Sequence, residues 1–247
     1  MKAIHIFATT VAAFAISPIA HAQGAADSSE LDSRPPLPTG ACAGLTMLDP
    51  KKLETGGTID LGKYYFFLRR PAALDAEMVS GGGGGGGASD THDSWGGTGF
   101  GGGAGQYSFK RYRLDPGFYL IDVGAGGAGG RSLGRTVHAT SGTGGGHTIL
   151  AYCPSGLPVE ILRGGDGGLA DVHPGGGKST GGDGTDLRHP LTGALIGKAG
   201  AGKEWGNDGA DASGNGAGGG GEGGSRLPGG HGGSGSAGYA KLTMIGG

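Results

Sequence analysis

Where the glycines fall constrains this 247-residue chain more than any other feature. Of its 64 glycines only Gly24, Gly40, Gly44, Gly56, Gly57 and Gly62 precede Ser80, so the other 58 crowd into residues 81–247. Ordering glycine costs more conformational entropy than ordering any other residue. Such a stretch must stay disordered or find a packing that glycine alone permits. Collagen is excluded, because its triple helix needs a strict Gly-X-Y period and the runs at 81–87 and 218–221 are unbroken. A flexible linker does not fit either. Compact runs rich in Tyr, Phe, Ile, Val or Leu interrupt the glycine at 107–114, 118–123, 147–153, 158–162 and 239–245, each bounded by Gly or Pro. That is the strand signal. The remaining solution is extended polyproline-II segments packed side by side. Without side chains their backbones approach closely enough for N–H···O=C and Cα–H···O contacts. Such a layer is rigid and flat, and leaves function to the residues at its turns.

Residues 41–80 have ordinary composition, with strand-like runs at 58–61, 64–69 and 76–80. Asp115-Pro116-Gly117 is a turn, since Pro presets φ and Gly tolerates positive φ. It is expected to join 107–114 to 118–123 as a hairpin. No segment sustains a 3.6-residue apolar period. The expected fold class is all-β: a small antiparallel β-sandwich with long glycine-rich, polyproline-II-like loops. The expected division is a signal peptide (1–22), a disordered Pro-rich linker (23–40), an N-terminal β segment (41–80) and a glycine-rich domain (81–247). Strands from 58–80 are expected to complete the sandwich.

The signal-peptide reading rests on Lys2, the apolar stretch 4–19 and the small-x-small site Ala20-His21-Ala22, which place cleavage after Ala22. The apolar stretch is interrupted by Ser17 and Pro18, and no other approaches the roughly 20 residues of a membrane span. Without Lys2 the balance is 18 basic against 21 acidic residues, a net charge of −3. That disfavours a nucleic-acid partner, whose phosphates call for a basic face. Cys42 and Cys153, an even pair in a chain bound for an oxidising compartment, read as one disulfide.

Several motifs weaken when examined. Gly124-Ala125-Gly126-Gly127-Ala128-Gly129 matches G-x-G-x-x-G after a strand-like run, but the following Gly130-Arg131-Ser132-Leu133-Gly134 is a poor helix start. The Walker-like stretches 176–179 and 197–203 lack, respectively, the first glycine and the final hydroxyl residue. Gly181-Gly182-Asp183-Gly184-Thr185-Asp186 opens like a calcium-binding nonapeptide, yet Arg188 stands where a large apolar residue belongs. It reads as a turn, with a lone Ca²⁺ site near Asp183 and Asp186 as the alternative. The six histidines beyond residue 22 show no metal-ligand spacing, and no G-x-S-x-G elbow is present. No metal and no cofactor are expected. Trp95, Phe100 and Trp205 sit inside glycine-rich stretches. A large ring there either anchors the loop to the body or stands out as a contact.

Taken together, the run Ala76-Glu77-Met78-Val79-Ser80 into 81–87, the block Val123-Gly124-Ala125-Gly126-Gly127-Ala128-Gly129-Gly130 after a strand pair, and the last strand after Gly232-Gly233-Ser234-Gly235 resemble a known pattern. It is the glycine-rich domain of phage tail-fibre proteins and of many bacterial proteins, matched over roughly residues 74–247. The resemblance implies a β-sandwich whose first and last strands pair, with glycine loops leaving one end. In similar tail-fibre adhesins, packed polyglycine helices carry distal loops that recognise a host receptor. No shared motif carries those receptor contacts, so none transfers by position. The signal peptide, the segment 41–73 and the cysteine pair depart from the pattern. The expectation is therefore an exported, non-enzymatic binding or adhesion module, secreted, at the cell surface or periplasmic. Its expected partner is a cell-surface glycan or protein receptor, with Trp95, Phe100 and Trp205 as candidate contacts. The alternative is a structural envelope or matrix protein without a specific ligand.

Overall fold

The structure, a computed structural model, describes residues 38–88, 98–132, 139–170, 182–203, 207–222 and 230–245. Two sheets form the sandwich. The first has the order β1 (Thr46–Met47), β3 (Gly62–Leu68), β6 (Gly117–Val123), β7 (Thr148–Tyr152), β8 (Leu157–Leu162), and within it only β1 and β3 run parallel. The second has the order β2 (Thr58–Ile59), β12 (Tyr239–Ile245), β4 (Ala72–Val79), β5 (Tyr107–Leu114), all antiparallel. Side chains alternate between sheet faces, so every second residue faces the core. Phe66, Leu68, Tyr119, Ile121 and Leu150 of the first sheet meet Leu74, Met78 and Leu242 of the second. The strand feeding the first glycine run pairs with the last strand over seven residues, from Tyr239 opposite Val79 to Ile245 opposite Ala73.

Two corrections to the sequence reading follow. Residues 107–114 and 118–123 do not form a hairpin: β5 pairs with β4, while β6 pairs with β3 and β7. The turn at Asp115-Pro116-Gly117 carries the chain from one sheet to the other. Pro-Gly suits either geometry, and the choice falls to β4, whose free edge takes β5. The one α-helix among the described residues, α1 (Pro50–Thr55), is absent from the sequence reading. Its local signals are complete: Asp49 caps the Lys51 N–H at 3.0 Å, Pro50 stands at the first helical position, and Gly56 ends it at φ 65°. With only six residues it shows no period to find, and it inserts just Leu53 into the core.

A third, small sheet of β9 (Leu187–Arg188), β10 (Leu195–Lys198) and β11 (Ser213–Gly214) packs Leu187 and Ile196 against Val79, Tyr107 and Tyr239 on the outer face of the second sheet. On the outer face of the first sheet, Cys42 and Cys153 form a disulfide with 5.4 Å between their Cα atoms. It fixes the 3-10 turn Gly40–Cys42 over Leu45, Tyr65, Phe67, Phe118 and Leu120. A link across 111 residues stabilises by up to about 5 kcal/mol in the chain-entropy picture.

The glycine runs form a packed array of ten extended segments, and segment 81–87 shows its rule. The N–H groups of Gly81, Gly82 and Gly83 donate to Gly146, Ser236 and Gly103; those of Gly84, Gly85 and Gly86 donate to Thr143, Gly233 and Phe100. These are the same three neighbours in the same order, one turn later. Carbonyls of the segment accept from Gly127 and Gly130, from Gly165 and Gly168, and from Gly219 and Glu222. A three-residue repeat with every bond made to another segment is the pattern of a polyproline-II-type helix. Segment 81–87 thus has six neighbours. Segment 216–222 has six as well: it donates to 182–186, 81–87 and 208–212, and accepts from 99–105, 199–203 and 231–238. The bonds define three rows. Segments 124–131, 231–238 and 208–212 form one outer row. The middle row is 140–146, 81–87, 216–222 and 199–203, and the other outer row is 164–170, 99–105 and 182–186.

Glycine is obligatory along 81–87. A Cβ on any residue from Gly81 to Gly87 would fall within 3.0 Å of a backbone atom of a neighbouring segment. Outer rows tolerate side chains every third residue, as at Ala125, Ala128 and Arg131, which are exposed while Gly127 and Gly130 are buried. Gly84→Ala should therefore cost about 3 kcal/mol or more, since no backbone can yield. Gly144→Ala, whose Cβ would meet only the Gly165 carbonyl at 3.4 Å, should change stability by less than about 1 kcal/mol. Urea denaturation of both variants checks this; equal losses would contradict the packing.

Candidate functional site

The array has a near end at the sandwich and a far end. Outgoing segments leave strands β4, β6, β8, β10 and β11, and each returns through a segment feeding β5, β7, β9, β11 or β12. Ala88, Ser132, Ala170, Lys203 and Glu222 therefore mark the far ends of the outgoing segments. The chain passes from them to the returning segments through residues 89–97, 133–138, 171–181, 204–206 and 223–229, which lie outside the described residues. Trp95 and Trp205 fall there, as does the Walker-like stretch 176–179.

Two features at this end are described. Glu222 closes the run 218–221 and is 1% exposed. Its Oε2 accepts the Ala88 N–H at 2.9 Å, tying together the far ends of the two fully surrounded segments. The one sequence signal was a carboxylate directly after four glycines. Phe100 is the second feature, and it does not sit in a turn. Its N–H donates to the Leu169 carbonyl and its own carbonyl accepts from Gly86, so its backbone belongs to the array. Its ring is 54% exposed on an outer row beside the 65% exposed Leu169.

Peptide groups at the edge of the array lack a neighbouring segment to bond, and short polar side chains replace it. Thr140 and Thr143 accept the N–H groups of Arg131 and Ala128, both at 2.8 Å. Asp183 and Asp186 accept those of Gly202 and Ala199 at 2.7 and 2.8 Å. Asp208 and Asp211 accept those of His231 and Ser234 at 2.5 and 2.6 Å. Each pair is three residues apart, one turn of this helix, so both side chains face the same neighbour. The calcium-like spacing of Asp183 and Asp186 is thus a carboxylate ladder holding backbone. Among the described residues no group of three His, Cys, Asp or Glu side chains is placed to hold a metal ion.

The remaining motifs resolve the same way. In the G-x-G-x-x-G stretch, Gly127 donates to Gly82, Ala128 to Thr143 and Gly124 to Thr148, so those peptide groups are engaged. In 197–203, Gly200 and Lys203 donate to Gly218 and Gly221. No described helix is long and apolar enough to cross a membrane. No family model matches the chain, and no curated protein is significantly similar to it in sequence.

The ladder predicts an acid limb. The Ala199 N–H, and then Arg188, hold the Asp186 carboxyl below its ordinary value of 3.8. On the sandwich, Arg111 does the same for Asp75 through two hydrogen bonds. A depressed folded value means stability present above the unfolded value and lost as pH falls through the folded one. The melting temperature should hold level from neutrality toward pH 3.8 and drop below it. Asp186→Asn should make that drop shallower; an unchanged acid limb in this variant would remove Asp186 from the account.

Proposed function

We propose that this chain is an exported, non-enzymatic binding module in which the glycine array is the scaffold and the far end is the contact surface. Its partner is a cell-surface glycan or protein receptor. One observation carries the reading: ten described segments are spent on backbone-to-backbone packing, and the five outgoing ones all end at the far end, at Ala88, Ser132, Ala170, Lys203 and Glu222. The residues that link those ends to the returning segments carry varied side chains. Residues 89–97 contain Thr91, His92, Asp93 and Trp95, and residues 204–206 contain Glu204 and Trp205. The resemblance to the glycine-rich domain of tail-fibre adhesins supports the same reading. Export after cleavage at Ala22 is part of it, and the Cys42–Cys153 bond is compatible with an oxidising destination.

Large aromatic rings contribute most per residue at binding surfaces. Trp95→Ala and Trp205→Ala should each weaken attachment to a glycan or receptor array by about tenfold or more while leaving the melting temperature within a few degrees. Probing the array with the mature protein and both variants, and melting the same samples, checks this. Normal attachment by both variants, or a loss of stability in both, would contradict the assignment.

A further inference from the structure

The edge strand of a sheet presents unpaired N–H and C=O groups, and native folds blunt such edges by shortness, Pro, bulges or charge. The two sandwich sheets have four edges among the described residues. β1 and β2 hold two residues each. β8 carries Pro158 and a register shift against β7. β5 has none of these devices. Its eight residues contain no Pro, and they pair with β4 without a shift from Leu114 opposite Ala72 to Tyr107 opposite Val79. Two of its three cations are neutralised, Lys110 by Glu160 at 2.8 Å and Arg111 by Asp75 at 2.7 Å. Three edges are blunted and one is open.

The ladder decides which groups that edge offers. The Ser80 N–H donates to the Gln106 carbonyl at 3.0 Å, one step before the Val79–Tyr107 pair. Alternate residues of an antiparallel strand bond the same neighbour, so Ser108, Lys110, Tyr112 and Leu114 bond β4. Phe109, Arg111 and Arg113 turn their N–H and C=O groups to the free side, where no described strand pairs with them. Their side chains share the outer face of the second sheet, and Phe109 is 60% exposed. Arg113 is the one cation of β5 without an acidic partner among the described residues. It stands opposite Ala73, at an open cleft of about 430 Å³ whose lining includes Pro71, Ala73, Arg111 and Arg113. An added strand gains affinity from main-chain bonds and specificity from alternate side chains. Side chains directly opposite interact, and like charges there repel. The β5 edge therefore selects a carboxylate opposite Arg113 and an apolar side chain opposite Phe109. Two β5 edges paired about Arg111 would set Arg111 against its own copy, which disfavours a second copy of this chain.

We propose that the free edge of β5 receives an extended acidic segment of a partner protein as an added strand, with a carboxylate on Arg113 and an apolar residue on Phe109. The site is separate from the far-end contact surface.

The probe is a capped peptide, Thr-Asp-Val-Thr-Val-Ile-Thr, titrated into the full mature chain and followed by amide NMR. The amides of Phe109, Arg111 and Arg113 should shift most and become protected from exchange. N-methylation of the peptide's Asp, central Thr and Ile, which face those amides, should abolish binding. The same peptide with Lys in place of Asp should bind about tenfold more weakly. Arg113→Glu should reverse that order of the two peptides. Phe109→Pro removes one free N–H at a position where an edge tolerates Pro; it should weaken the Asp peptide, and serves if Arg113→Glu misfolds. Trp95→Ala should leave binding unchanged, which separates this site from the far end. The proposal fails if the peptide leaves these amides unmoved, if the N-methylated peptide binds as well, or if Arg113→Glu and Phe109→Pro both leave binding undiminished. Concentration-dependent protection of the same amides without peptide would put a second copy on the edge and overturn it as well.

Discussion

The structure depends on backbone hydrogen bonds made between glycine segments instead of within them. Each residue of 81–87 donates to one neighbour, and its carbonyls accept from others, with the whole pattern repeating every three residues. A buried peptide group without a partner is costly, so the interior segments 81–87 and 216–222 are stable only when all six neighbours are present. That requirement explains why the two fully surrounded segments, 81–87 and 216–222, are mostly glycine. The entropy cost of ordering so much glycine is offset collectively, by the array as a whole.

The sandwich supplies the register that the array needs. A threefold glycine helix carries no side-chain pattern to fix where it starts, so its neighbours would slide freely past one another. The paired strands β4, β5 and β12 set the starting points: Val79, Tyr107 and Tyr239 stand in one rung of the sheet, immediately beside segments 81–87, 99–105 and 231–238. Thr148 shows the coupling in one residue. Buried at the start of β7, its hydroxyl donates to the Val79 carbonyl and accepts from the Gly124 N–H, where two glycine segments begin.

Much of this was legible in the sequence because the signals are local. Strands such as 107–114 and 239–245 are apolar runs between glycines, and both were read with their observed bounds. The polyproline-II packing followed from asking what glycine alone permits. The connection between 107–114 and 118–123 was misread because Asp-Pro-Gly suits an arch between sheets as well as a hairpin, and only the free edge of β4 decides. β9, β10 and β11 are two to four residues long and sit among glycines, so neither length nor alternation marked them. The ladders Thr140/Thr143, Asp183/Asp186 and Asp208/Asp211 carried a real signal, a three-residue spacing of short polar residues. It becomes meaningful only once the threefold helix is known, and without it the second ladder looked like a calcium motif. Of the aromatic candidates, Phe100 proved to be a row residue with an exposed ring, a placement that a glycine-rich context alone does not reveal.

The central claim is that the interior glycine segments are hydrogen-bonded as tightly as the sandwich strands. Amide hydrogen exchange, resolved by residue, tests it most directly, because exchange reports the free energy of opening each N–H. The N–H groups of Gly82 to Gly86 and Gly218 to Gly221 should exchange as slowly as those of Ala76 and Leu242 in the paired strands. Exchange of those glycines at unprotected rates, with β4 and β12 still protected, would contradict the account.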